Sequence, residues 1–285
     1  MVNVHIGAAE SSSLFAHEFK GETISPAEME RRVSEEDLMV VNPFFSRFMF
    51  GFRVPGRKIC YVQDFRTFPV LDCGFDLYVS VSTLVHDFLE VVYGIDCTII
   101  PPFIEVETLT APPPWRERPL TVAMYVKEGE ENRAAGDFLL RELSIHIPEL
   151  KVDVLSKNVL EHRALVGRIA HNRYLMNVSL AEGFGLVPLE AMAVGTCVVG
   201  LDGLGGRDYL RPGDNSMTYG IKDIGKVIPA LKDLTNDAGL SERLTHSGSA
   251  TARSYTKERF VSSWQNLLQP FLGCPVIEGN VASAH

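Results

Sequence analysis

A chain of 285 residues has room for two domains of ordinary size and is too long for one small core. Its 36 acidic residues against 27 basic ones give a net charge of -9, which excludes a general attraction to a phosphate backbone; nucleic acid is not an expected partner, although one or two local cations would still serve a nucleotide. Cys60, Cys73, Cys97, Cys197 and Cys274 form no CxxC pair and no cluster with His, so they suggest neither a zinc site nor a disulfide framework and read as small core residues of a reducing compartment.

The start, MVNVHIGAAESSS, lacks the basic residues and apolar run of a secretion signal. No apolar stretch reaches the roughly 20 residues of a membrane span, so a cytoplasmic protein is expected. Short apolar runs then follow in order, VNVHI, DLMVV, KICYV, DLYVS and CTII, with an amphipathic helix over LVHDFLEVVYG. This alternation is the rhythm of βα units around a parallel sheet. Between the runs, FFSRFMFGFRVPGRK interleaves Phe with Arg and Lys. Such a segment suits an anionic lipid surface, and more often a buried helix against the sheet or a subunit interface.

Proline density in PPFIEVETLTAPPPWRERP interrupts regular structure and predicts a linker, residues 107–118. The rhythm restarts with LTVAMYV, a helix through AAGDFLLREL, then KVDVL, a helix near GRIAHNRYL, MNVSL, a further helix and CVVGL. The chain ends in helical patterns: KVIPALKDL, GLSERLTHSGSATARSY and KERFVSSWQNLLQPFL. Two α/β domains are predicted, residues 1–106 and 119–256, with a final helix and tail over 257–285.

The densest chemistry lies in EGFGLVPLE, where Glu182 and Glu190 stand eight positions apart. A strand, a glycine turn and a helix in that order deliver backbone N–H groups at a helix N-terminus, where phosphate oxygens bind. Glu182 stands at the turn, and Glu190 projects from the helix about two turns further on. A departing diphosphate needs positive charge, from a metal or from basic side chains. No DxD cluster is present, and Lys127 and Arg133 follow the strand LTVAMYV at the end where open α/β sheets bind ligands. Ordinary exposed loop charges are the competing reading for both. The loop GLDGLGGRDYLRPGDN brings backbone close to a ligand through Gly205 and Gly206, with Asp208 either in the site or capping a following helix.

The surrounding text, NVSLAEGFGLVPLEAMAVGTCVVGLDGLGG, resembles the donor-sugar signature of the retaining family-4 glycosyltransferases. KICYVQDFRTFP and DLYVSVSTLVHDFLEVVYG are similar to the acceptor side of the family's rhamnosyl-type branch, with a shortened N-terminal domain. The resemblance implies a GT-B fold, α/β, with two Rossmann-like α/β/α domains facing a cleft and a last helix crossing back to the first domain. It implies a metal-independent hexosyltransferase with no cofactor, whose donor is a nucleotide diphosphate sugar and whose acceptor is a hydroxyl of a saccharide or glycolipid. Glu190 would hold the ribose, Glu182 the sugar hydroxyls, and Lys127 and Arg133 the diphosphate. Backbone around Gly183, Phe184, Gly185, Leu186 and Val187, with Gly205 and Gly206, would line the donor. Relatives carry Arg first and Lys second where this chain has Lys127 and Arg133, and many have a His where Gln63 and Asp64 stand.

Asp64 reads either as an acceptor-orienting carboxylate or as a turn residue. His86 reads as a surface or helix-packing residue, and His5 stands at the end of the first strand. Polysaccharide or glycolipid assembly at the inner face of a membrane, with a partner subunit completing the short first domain, is the corresponding biological expectation. The alternatives are a non-catalytic nucleotide-sugar-binding subunit of a transferase complex and, third, a GT-B sugar epimerase.

Overall fold

The computed structural model describes residues 2–4, 22–105, 112–155 and 161–272. His5, linker residues 107–111 and the tail after 272 lie outside the described residues. Contacts divide the chain into two compact units, Met1–Ile99 and Ile100–His285.

The first unit contains a parallel pair, β1 (Val2–Val4) and β2 (Glu22–Ile24), followed by helix α1 (Pro26–Arg32). Ser25 caps α1 through the Glu28 N–H, and Pro26 occupies its first turn, where no N–H partner is needed. A second sheet, all parallel, runs in the order β3 (Leu38–Val41), β4 (Arg57–Val62), β5 (Leu77–Ser80) and β6 (Thr98–Ile99). Helix α3 (Thr83–Tyr93) starts where Ser82 Oγ accepts the Val85 N–H and stops at Gly94, whose φ of 67° is the left-handed turn that ends helices.

The Phe-rich segment forms a 3-10 helix, Pro43–Phe48, and one turn of α-helix, α2 (Phe50–Arg53). Phe50 is buried and stacks on Phe48 at 5.3 Å, while Phe52 is 66% exposed. Asp72, fully buried, holds the segment in place. Its two oxygens accept the Gly51 N–H at 2.7 Å and the Gly74 N–H at 3.0 Å.

The second unit is a five-stranded parallel sheet in the order β11 (Met217–Tyr219), β10 (Cys197–Leu201), β9 (Tyr174–Val178), β7 (Thr121–Val126), β8 (Lys151–Leu155). Helices α4 (Glu130–His146), α5 (His162–Ala170), α6 (Leu186–Ala193), α7 (Val227–Asn236) and α8 (Ala238–Ala252) follow or separate the strands, and α9 (Lys257–Leu272) comes last. Every second strand residue, Val122 and Met124, Tyr174 and Met176, Cys197 and Val199, packs in one core with Leu139, Leu143, Leu231 and Leu234. The alternate residues Ala123, Leu175 and Val198 are fully buried as well. Burial on both faces explains why these strands read as unbroken apolar runs.

Arg118 staples the start of this unit to the end of α6. Buried, its guanidinium donates to the carbonyls of Pro113, Asn172 and Val194 and to Thr196 Oγ1. Burial pulls its pKa down to about 10, still well above neutrality.

Candidate functional site

Strand β7 is the first of its sheet, with β8 on one side and β9 on the other. The chain therefore leaves the ends of β7 and β9 in opposite directions, and the crevice between them is the switch point at which open α/β sheets take ligands. Lys127 follows β7 directly, and its N–H donates to Val178 at the end of β9 at 3.0 Å. Its Nζ lies 3.3 Å from Oε2 of Glu182, in the loop after β9. The side chains are 30% and 14% exposed, so the ion pair is half withdrawn from solvent.

The loop carrying Glu182 is fixed by the loop after β10. The Glu182 N–H donates to the Gly203 carbonyl at 2.8 Å, and Glu182 bridges Leu204 as two isolated parallel strand residues would. Leu204 has φ 63° and ψ -60°, and Gly205 N–H bonds back to Gly203 O, a γ-turn with the rare positive φ. A Cβ on Gly205 would lie 2.4 Å from Gly183 O and 2.5 Å from Glu182 O. Glycine is therefore required at 205 for the two loops to touch. Asn132, buried in the first turn of α4, ties the remaining side: Nδ2 donates to Glu128 O and Oδ1 accepts the Leu180 N–H.

Glu190 projects from α6 and is 6% exposed. Its Oε1 stands 2.7 Å from Nε2 of His162, the first residue of α5, while Oε2 is buried with no partner among the described residues. With its hydrogen on Nε2, His162 donates to this carboxylate. Tyr125 of β7 and Tyr209 both sense this carboxylate and Glu182. Burial pushes each phenol well up, and the charges of Glu182 and Glu190 add to the shift.

The N-cap of α6 is Gly185, in the left-handed region at φ 84°, which has no side chain to cap the helix. The Tyr209 hydroxyl donates to the Gly185 carbonyl, and Phe184 packs on Tyr209 at 5.3 Å and Tyr255 at 5.6 Å. Leu186 is exposed, Val187 is half-buried, and Gly183, Gly205 and Gly206 are buried. The first turn of α6 thus combines oriented N–H groups with a neighbouring lysine, a combination suited to an anion.

Of the residues singled out from sequence, Glu182, Glu190 and Lys127 come together with the glycine turn. Arg133 lies one turn inside α4 and is exposed. Asp208 ends a 3-10 turn, Gly205–Asp208, and β11 comes before any further helix, so it caps none. In the first unit Asp64 accepts the Arg66 N–H at 3.1 Å, as a turn residue does. His86 sits on α3 between Asp87 and Asp96. His162 and Asn132 escaped sequence reading. Both stand just before the helical stretches read from sequence, Asn132 before AAGDFLLREL and His162 before GRIAHNRYL, where no pattern marked them.

Residues 168–250, which include both motif glutamates, match the family described as Glycosyl transferases group 1. No curated protein sequence matches the chain. Among solved structures, a mutant TarM from S. aureus in complex with Fondaparinux, alpha-GlcNAc-glycerol and UDP is similar with a TM-score of 0.65 at 15% identity, over 85% of this chain and 57% of that one. The chain therefore spans little more than half of that protein. Sucrose-phosphate synthase from Thermosynechococcus elongatus is similar at 0.64 and 15%, over 83% and 74%. A glycosyltransferase from Rickettsia africae is similar at 0.70 and 11%, over 96% and 90%. At these identities the likeness shows the fold, a GT-B type built of two Rossmann-like domains.

Proposed function

We propose that the chain is a retaining glycosyltransferase of family 4, nearest its rhamnosyl-type branch, which moves a sugar from a nucleotide diphosphate sugar to a hydroxyl of a saccharide or glycolipid. The observation that carries this reading is the convergence of Glu182, Glu190 and Lys127 at the sheet's switch point, beside the first turn of α6. The family match on the same segment and the GT-B fold support a nucleotide-sugar transferase.

In this reading residues 119–256 bind the donor and residues 1–106 serve the acceptor. The unpartnered Oε2 of Glu190 accepts a ribose hydroxyl, and Glu182 accepts from the transferred sugar. Lys127, Arg133 and the α6 N–H groups carry the diphosphate charge in place of a metal. Transfer breaks the bond from the anomeric carbon to the phosphate oxygen and forms one to the acceptor oxygen on the same face. The acceptor proton passes to the departing phosphate, so no protein base is needed, and the nucleoside diphosphate leaves.

TarM and the pneumococcal O-GlcNAc transferase GtfA were both solved with UDP, which makes UDP the first nucleotide to test. No helix among the described residues is long and apolar enough to cross a membrane. A cytoplasmic site of action, with Phe44 and Phe52 exposed beside Arg47 and Arg53 as a contact for the inner membrane face, belongs to the same proposal. One similar fold was solved as the GtfA/B complex, which favours a second reading: a donor-binding subunit that needs a partner for transfer.

The test is thermal stability with UDP, GDP, ADP and dTDP, for the wild type and Glu190→Ala. A nucleotide at about a hundred times its dissociation constant adds roughly 2.7 kcal/mol. A nucleotide-selective rise that the variant loses is expected; no rise with any nucleotide overturns the proposal. Sugar transfer by the isolated chain then separates the enzyme from the subunit.

A further inference from the structure

His162 and Glu190 form a contact with an unused half. A buried carboxylate oxygen without a donor is costly, because desolvation is not offset by any hydrogen bond. Glu190 carries one such oxygen, Oε2, in a carboxylate that is 6% exposed. The other oxygen is held at 2.7 Å by Nε2 of His162, which comes from a different part of the chain, the start of α5. A carboxylate anchored through one oxygen keeps its plane and its second oxygen in a set direction. The imidazole that sets it is itself 47% exposed, at the edge of the site. Lys127 stands with the other motif carboxylate. Glu190 thus answers to His162, across two helices, and Glu182 to Lys127, across the segments that follow two neighbouring strands.

The group that completes Oε2 must be a donor, and a hydroxyl of a vicinal diol fits a carboxylate held this way. We propose that His162 is a positioning residue for the nucleoside: by holding Oε1 it presents Oε2 to a ribose hydroxyl and so sets the preference of the site for ribonucleoside over deoxyribonucleoside diphosphates. This rests on the nucleotide-sugar reading above. His162 acts through Glu190 and touches no reacting atom.

The experiment measures dissociation constants by calorimetry for UDP, GDP and ADP, each beside its 2′-deoxy and 3′-deoxy form. The proteins are wild type, Glu190→Gln, His162→Ala, His162→Phe and His162→Gln. Wild type is expected to bind a ribonucleotide at least about tenfold more tightly than one of its deoxy forms, since a lost hydrogen bond to a charged acceptor is worth that much. His162→Ala and His162→Phe are expected to bring that ratio close to one. His162→Gln, whose amide can donate to Oε1, is expected to restore part of it. A purely structural role would weaken ribo and deoxy forms alike and leave the ratio unchanged.

An unchanged ratio in both the alanine and phenylalanine variants overturns the assignment of His162 while the nucleotide reading stands. A wild type that binds nucleotides without discrimination removes the ribose role of Glu190 and this inference with it. Binding of none of the three overturns this inference, and the nucleotide reading falls with it only if dTDP is not bound either. The phenylalanine variant keeps the ring volume and gives the answer if the alanine variant does not fold.

Discussion

Lys127 and Glu182 leave the ends of neighbouring parallel strands, β7 and β9, and meet at 3.3 Å across the point where the sheet reverses its winding order. In the proposed donor site this pair holds the lysine assigned to phosphate against the carboxylate assigned to sugar. A diphosphate would compete for Lys127 and release Glu182 toward hydroxyl donors, so binding of one part of the ligand prepares the group that holds the other. Lysine suits this exchange better than arginine, being a compact point charge on a flexible stem without a bidentate hold on its partner.

That arrangement predicts different losses from different residues. Lys127→Ala is expected to lower turnover by about a hundredfold, the size found when one donor to developing charge is removed, with a smaller change in nucleotide affinity. Glu190→Ala is expected to weaken nucleotide binding first. Steady-state kinetics beside equilibrium binding separates the two effects, and small, equal losses in both variants would sink the assignment.

Much of this site was legible because its parts are local in sequence. The strand, glycine turn and helix around Glu182 and Glu190 come from one continuous stretch, and Lys127 follows an apolar run that could only be a buried strand. The strands themselves were readable since burial on both faces leaves no polar alternation to confuse them. What stayed hidden depends on contacts between distant segments. His162 meets Glu190 from 28 positions away, and Asn132 bonds Leu180 from 48. Asp72 was silent for the same reason, since its acceptors serve Gly51 and Gly74 only once the chain has folded.

The γ-turn after β10 yields variants at two positions. Leu204 is a half-buried non-glycine residue at φ 63°, a conformation costing about 1–3 kcal/mol, so Leu204→Gly is expected to be about 1 kcal/mol more stable than Leu204→Ala, which loses the same side chain and keeps the strain. Gly205→Ala is expected to lower stability by several times as much, because the new Cβ would fall 2.4 Å from Gly183 O. Denaturant unfolding of the variants measures the differences. A Leu204→Gly no more stable than Leu204→Ala would mean that the turn is not strained.

Asn132 is expected to matter through both ends of its amide. Asn132→Ala removes two buried hydrogen bonds and strands the Glu128 carbonyl and the Leu180 N–H, a loss of about 2–3 kcal/mol. Asn132→Asp can still accept from Leu180 but turns an acceptor toward the Glu128 carbonyl, so it should not rescue. Urea unfolding checks both variants, and full stability in Asn132→Asp would show that the bond to Glu128 contributes nothing.

His86 gives a pH dependence with a definite sign. On α3 its Nδ1 lies 3.1 Å from Asp87 and its Nε2 3.4 Å from Asp96. The hydrogen bond to Asp87 is the largest cause of its raised pKa, with Asp96 adding to it and partial burial opposing it. A folded pKa above the unfolded value means that the folded state holds the proton more tightly. The stabilisation is therefore complete below the unfolded pKa of about 6.5 and fades as pH rises through the folded value. His86→Ala is expected to lower the melting temperature more at about pH 5.5, below the unfolded value, than at about pH 8.5, well above it. A melting-temperature gap that is the same at both values, or wider at the higher one, would show that the Asp87 and Asp96 contacts do not hold the proton.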